Sequence, residues 1–237
     1  MRHLRSAAAG IAVAVVVTGC GALGGGATAP DSAQTLTIYS SLPVQGSDEV
    51  RQESIVNGEK LALADSGGRV GPFHVSFASL TDSDTQAGSA TAGDTLQAAR
   101  TASSDRSTIA YIGDFDSPAT AISLPLLNEG GILQVSPAST YIGLTQAAPT
   151  DGRGEPDRYY PSIGPRSFAR LAPSDAVEAR AMVGYMKGLG VHRLFVLEDR
   201  DVFDADIAAI AAGLAPGSGI SLAGRAEVDT RPSRSAA

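Results

Sequence analysis

The apolar positions change period along the chain, and the changes lay out its elements. "LTIYSS" (36–41) is a short apolar run that reads as a strand. Ser47 or Asp48 then caps a helix that runs to the "SGG" stop at 66–68, with Ile55 and Ala62, and Val56 and Leu63, recurring at seven residues as one buried stripe. "FHVSFASL" (73–80) sets Val75 and Phe77 against His74 and Ser76, the period of two of a strand. An Ala-rich helix follows and ends near Asp105; "TIAYIG" (108–113) is a strand; a helix bounded by Ser117 and by Gly130-Gly131 leads into the strand "ILQVS" (132–136). From 141 to 167 the periodicity fails in a Gly-, Pro- and charge-rich stretch that reads as a long surface excursion. Asp175 with Glu178 three residues on then resembles a capping box opening a helix to "KGLG". The chain continues with a strand (193–199), a helix over "DADIAAIAAGLA", a strand over "ISLAGRAEV", and the polar tail "DTRPSRSAA".

Helices, not hairpin turns, separate these strands. That order predicts an α/β fold with a parallel sheet and helices on both faces. Ligands of such sheets bind beyond the carboxyl ends of the strands. The loops at 113–117 and 136–140 both follow strands directly and so share that edge. The divisions expected are a first α/β lobe over 36–169 and a second, partial one over 170–237, since two strands and two helices make a poor core alone.

The first 35 residues read differently. Arg2 and Arg5 precede an apolar run to Val17, then "VTGC". This is the pattern of an export signal over 1–19, too short for a bilayer span of ~20 residues. Cys20, the chain's single cysteine, stands where a bacterial lipobox places the residue that becomes lipidated. The small, polar, Gly-rich residues after it read as a flexible tether to residue 35. The expected location is extracytoplasmic, anchored to the membrane by lipidated Cys20.

Composition narrows the function. The 237 residues carry a formal charge of −7 and no basic run, which excludes the electrostatic footprint of a nucleic-acid binder. There is no G-x-S-x-G, no phosphate loop and no H-E-x-x-H, so no enzyme class is indicated. His74, in a strand, and His192, in a turn, read as structural. "DSDTQAG" (82–88) begins like a calcium loop but lacks its later ligands. "EDRD" (198–201) reads mostly as a solvated loop. No metal and no cofactor is expected.

The paired loops remain. Ser117 before Pro118 is expected to be the helix N-cap, where free amides and the helix dipole favour a carboxylate. "SPAST" (136–140) faces it with the Thr140 hydroxyl and carbonyls suited to an ammonium. Donors for an anion beside acceptors for a cation are what an α-amino acid requires.

Four stretches carry a family resemblance: "LTIYSSLPVQG", "NGEKLALADSGG", "AYIGDFDSPATAISLPLLNEGGILQVSPASTYIGLT" and "LFVLEDRDVFDADIA". They resemble the branched-chain amino acid binding proteins of ABC transporters, over about residues 36–228. The resemblance implies the periplasmic-binding type I fold, with the first lobe complete and the second incomplete, and a ligand clamped between them. It implies an ABC permease as partner and an amino acid or related amide as ligand. It places the carboxylate on Ser117, the ammonium on the backbone carbonyl of Ala138, and both on Thr140. Phe203 falls where many members carry a tyrosine lining the cleft, and the loop around Val50 and Arg51 matches poorly. Family members run on well beyond the end of this sequence and carry their acidic ammonium partner there. A second expectation therefore stands beside the first: a truncated remnant that does not bind, or a surface interaction module that kept one lobe.

Overall fold

The structure, a computed structural model, describes residues 34–44, 49–82, 90–149, 154–161, 164–199, 201, 203 and 205–228. The export signal, Cys20, the tether, the expected Ser47 and Asp48 cap and most of the calcium-like loop lie outside them.

Eight strands and five helices alternate among the described residues. In chain order they are β1 (Thr35–Ser41), α1 (Glu49–Asp65), β2 (Arg69–Val70), β3 (Phe73–Leu80), α2 (Ala92–Ser104), β4 (Thr108–Ile112), α3 (Ser117–Glu129), β5 (Leu133–Ser136), β6 (Phe168–Arg170), α4 (Asp175–Gly188), β7 (Arg193–Asp199), α5 (Ala205–Leu214) and β8 (Ser221–Val228). A six-stranded sheet has the order β2-β3-β1-β4-β5-β6, and β7 and β8 form a second, parallel pair. Every neighbouring pair of the large sheet is parallel except β2 with β3, which is antiparallel. The fold is thus α/β with a mainly parallel sheet, as the alternation of the sequence predicts.

Packing divides the large sheet into two unlike faces. On one, Ala99 and Ala102 of α2 and Leu127 of α3 enclose Tyr111 of β4, with Tyr39 of β1 alongside. Alanines on α2 let that helix lie close to the bulky tyrosine. The other face carries α1, whose buried stripe is Gln52 and Val56 with Ile55 and Leu63 half-buried; Ala62, expected in the stripe, is exposed. Apolar residues further across this face remain open: Leu171 is 78% exposed, Leu133 45% and Ile109 41%.

Two expectations need correction. The stretch 141–167 is not a surface excursion in its described part. Tyr141, Ile142, Leu144, Ala148 and Tyr159 pack on Leu124 as a core cluster. Its polar groups are satisfied inside, since Tyr141 and Tyr159 both donate their hydroxyls to buried Glu155, the latter at 2.8 Å. Asp175 is not a cap. Ser174 holds the N-cap position of α4, and the Asp175 carboxylate accepts from Ile142 N–H at 3.0 Å, tying α4 to that cluster.

Candidate functional site

The site forms where β4 and β5 end. Strand pairing sets Ile112 beside Val135, so the loops that leave these strands emerge together. The chain turns sharply at Gly113, whose φ is +138°, and a Cβ there would collide with the Ser41 carbonyl oxygen. Only glycine lets the two backbones approach this closely.

Beyond that turn the N-cap is Asp116, not Ser117. The Asp116 carboxylate accepts from Ala119 N–H at 2.8 Å, and its carbonyl accepts from Thr120 N–H at 3.1 Å. Aspartate caps as well as serine does, so composition could not separate the two, and Ser117 is released for other contacts. Its hydroxyl oxygen accepts from Thr140 N–H and from Tyr141 N–H, each at 3.2 Å. These bonds clamp the loop after β5 onto the start of α3. A hydroxyl has two lone pairs and one proton. With both lone pairs engaged, Ser117 keeps one donor.

The loop after β5 is itself braced. Ser136 donates its hydroxyl to Asp114 carbonyl at 2.6 Å and accepts from Ser139 N–H at 2.9 Å. Ser139 and Thr120 hydroxyls meet at 2.7 Å. The Thr140 carbonyl accepts from Asp175 N–H at 3.0 Å. The serines and threonines of "SPAST" therefore hold the loop rigid, and the Ala138 carbonyl accepts no hydrogen bond from the described residues.

All four residues singled out in the sequence line one cavity of about 280 Å³, with Phe115, Asp116, Ser117, Pro118, Ala138, Thr140, Asp201 and Phe203 as its wall. That is near the lower end of ligand pockets, ~300–1,000 Å³, and suits a molecule of amino-acid size. Phe203 meets Tyr141 edge-on, with ring centroids 5.0 Å apart, which fixes the apolar wall. The sequence reading passes over Asp116, and it takes Asp201, in "EDRD", as part of a mostly solvated loop, whereas both line the cavity. The signal for Asp116 was present, an acid directly before Ser-Pro at a strand end.

Carboxylates gather behind this wall. Asp114 and Asp82 are wholly buried. Loss of water pushes each carboxyl up to about 7, and Asp116 adds repulsion to both. Asp116 itself is raised by burial and partly restored by Ala119 N–H. Asp114 is held by Tyr111 at 2.8 Å and by Ser123, whereas neither oxygen of Asp82 finds a partner among the other described residues.

Solved structures match this architecture. A substrate-binding protein of an ABC transporter from Desulfitobacterium hafniense, solved in complex with Leu, superposes with a TM-score of 0.65 at 20% identity, over 84% of this chain and 52% of that one. The chain has the fold of the ABC-transporter solute-binding proteins. A leucine binding protein, LivK, from Thermotoga maritima matches at a TM-score of 0.63 and 19% identity over 83% of this chain and 50% of that one. A solute binding protein from Rhodopseudomonas palustris, in complex with 3,4-dihydroxy benzoic acid, matches at 0.64 and 14% identity over 82% and 47%. No family model and no curated protein matches the sequence. The chain spans about half the length of the solved solute-binding chains it resembles.

A larger groove, about 630 Å³, lies between α1 and the open sheet face and is lined by Ile38, Ile55, Val75, Ala110, Val135 and Leu171 among others. Glu59 is the one charged group among its described lining residues. Without converging polar groups it offers a ligand no orientation, so the smaller cavity is the better candidate site. Val50 and Arg51 line neither this groove nor the smaller cavity. Among the described residues no helix is long and apolar enough to cross a membrane, and no group of His, Cys, Asp or Glu could hold a metal ion.

Proposed function

We propose that the chain is a non-catalytic, extracytoplasmic solute-binding lipoprotein of an ABC importer, taking an α-amino acid or a related amide. The observation that carries this reading is the convergence of Ser117, Ala138, Thr140 and Phe203 on one cavity at the carboxyl edge of a parallel sheet. Ser117 supplies a donor for a ligand carbonyl or carboxylate. The Ala138 carbonyl and the Thr140 hydroxyl supply acceptors for an ammonium, and Phe203 supplies apolar surface. The solved proteins with this fold include ones crystallised with Leu and with aromatic acids, and their place in ABC systems supports a permease as partner. A thermal-shift screen of the purified chain against amino acids, their amides and benzoates tests the reading. A saturable rise in melting temperature for an amino acid or amide is expected; no shift with any of them defeats it. Lipidation is tested separately: Cys20→Ser should move the protein from the membrane fraction to the soluble one, and an unmodified Cys20 in the native protein would refute the anchor.

A second reading, a remnant or surface interaction module that does not bind solute, is favoured by the exposed apolar residues. Besides Leu171 and Leu133 on the large sheet, Phe195 and Leu197 on β7 are 58% and 64% exposed. Exposed apolar area of this kind commonly marks an interaction surface.

A further inference from the structure

The charge of the cavity wall is one-sided. Of its eight described lining residues two are aspartates, and none of the eight is Lys, Arg or His. Asp116 spends Oδ1 on Ala119 N–H, and its other oxygen makes no hydrogen bond to the described residues. Asp201 spends Oδ1 on Phe203 N–H at 2.8 Å and likewise keeps its second oxygen. The nearby Arg170 does not redress the balance. Its guanidinium is committed to the Tyr141 carbonyl at 2.8 Å, to the Ser139 carbonyl at 3.4 Å and to the Thr145 hydroxyl at 2.8 Å, and it is not among the described residues of the wall.

The helix terminus does not redress it either. An N-terminus attracts anions through free amides and the dipole. Here Pro118 has no amide proton, Ala119 N–H is taken by the Asp116 side chain and Thr120 N–H by the Asp116 carbonyl, which leaves Ser117 N–H as the one terminal amide with no acceptor among the described residues. The chain's own carboxylate occupies the position a ligand carboxylate would take. What the described wall still offers is the Ser117 hydroxyl proton and N–H, two acidic oxygens, the Ala138 carbonyl and two aromatic rings, Phe115 and Phe203, so its only formal charges are negative. Aromatic faces attract cations as well as apolar groups.

We propose that this pocket selects on net charge and takes a small organic cation, an amine whose acid function is absent or masked as an amide, in preference to a zwitterionic amino acid. The ammonium sits between Asp116 and Asp201, and the Ser117 hydroxyl donates to the amide carbonyl. The proposal rests on reading the cavity as a small-molecule site and specifies which class that site accepts.

Leucinamide, leucine and N-acetylleucine share one side chain and carry charges of +1, 0 and −1 near pH 7. Calorimetric titration of the full purified chain with the three separates charge from shape. The expected order is leucinamide, leucine, N-acetylleucine, with at least about a tenfold gap between the first two. Asp116→Asn keeps a good N-cap and so keeps the helix; it should shrink that gap to within about threefold, and Asp201→Asn should shrink it in part. Leucine binding as tightly as leucinamide, or a gap that both variants leave intact, overturns the charge selection while the pocket itself stands. Failure of all three ligands to bind overturns the pocket reading and this proposal together.

Discussion

Ser117→Ala should destabilise the protein by about 2–4 kcal/mol, because it leaves two backbone N–H groups near the site without an acceptor. The contrast with an ordinary cap is the point. Removing a serine N-cap typically costs ~1 kcal/mol, but the cap of α3 is Asp116, and Ser117 instead accepts from Thr140 and from wholly buried Tyr141. No water replaces the lost oxygen at Tyr141 without opening the cluster around Leu124 and Leu144. For a chain of this size the loss corresponds to a fall in melting temperature of roughly 10 °C. Ser117→Thr keeps the oxygen and should recover most of it, whereas Asp116→Asn should cost little. Chemical denaturation of the three variants checks this ordering. A Ser117→Ala loss no larger than that of Asp116→Asn would show that the clamp contributes nothing.

The same residue shows how far the sequence reaches. Strand and helix alternation, and hence the parallel sheet and its ligand edge, are legible because each element is long enough to display its period. β6 was missed, being three residues, Phe168–Arg170, too short to show any period. The region after Thr140 was misread for a related reason. Its Gly, Pro and charged residues dominate the composition, while Tyr141, Ile142, Leu144 and Tyr159 bury themselves through irregular backbone and short 3₁₀ turns that have no sequence period. At the site, the residue types and their loops were legible and their bonding was not. Whether Ser117 or Asp116 caps the helix depends on a one-residue frame. The partner Ser117 takes instead lies 23 residues away, across a strand pairing that no local pattern encodes.

Its consequence is chemical. The sequence suggests a helix terminus open to a ligand carboxylate, and the structure fills that terminus with Asp116. A carboxylate built into the wall carries a cost as well as a preference, since the pocket is backed by two further acids, Asp82 and Asp114, both wholly buried. No described residue forms a salt bridge with any of the three. Their mutual repulsion is relieved by protons, which links the fold to pH.

Raising the pH from 5 to 8 should therefore lower the stability of the protein. Burial first, and then neighbouring carboxylates, hold Asp82 and Asp114 up to about 7, whereas an unfolded Asp titrates near ~3.9. Between these values the folded state binds more protons than the unfolded state, and stability falls with rising pH wherever that is so. The stabilisation is complete below about pH 4 and is lost as pH climbs through about 7. For one carboxyl the full span is on the order of 4 kcal/mol. The two acids repel each other, so their protons leave as a coupled pair and the losses do not simply add. Asp82→Asn isolates the effect, because among the other described residues the Asp82 oxygens have no hydrogen-bond partner that the amide would lose. The variant should be more stable than the parent at pH 8, by roughly 5–10 °C in melting temperature, about equal to it at pH 5, and shallower in slope between. Asp114→Asn is the worse probe, since Asp114 accepts from Tyr111, Ser123 and Gln134, and an amide would turn one of those contacts into donor against donor. Melting curves of parent and Asp82→Asn at half-unit pH steps decide the matter: parallel curves across pH 5–8 would mean that Asp82 is already ionised in the fold and that the carboxylates behind the pocket do not share protons.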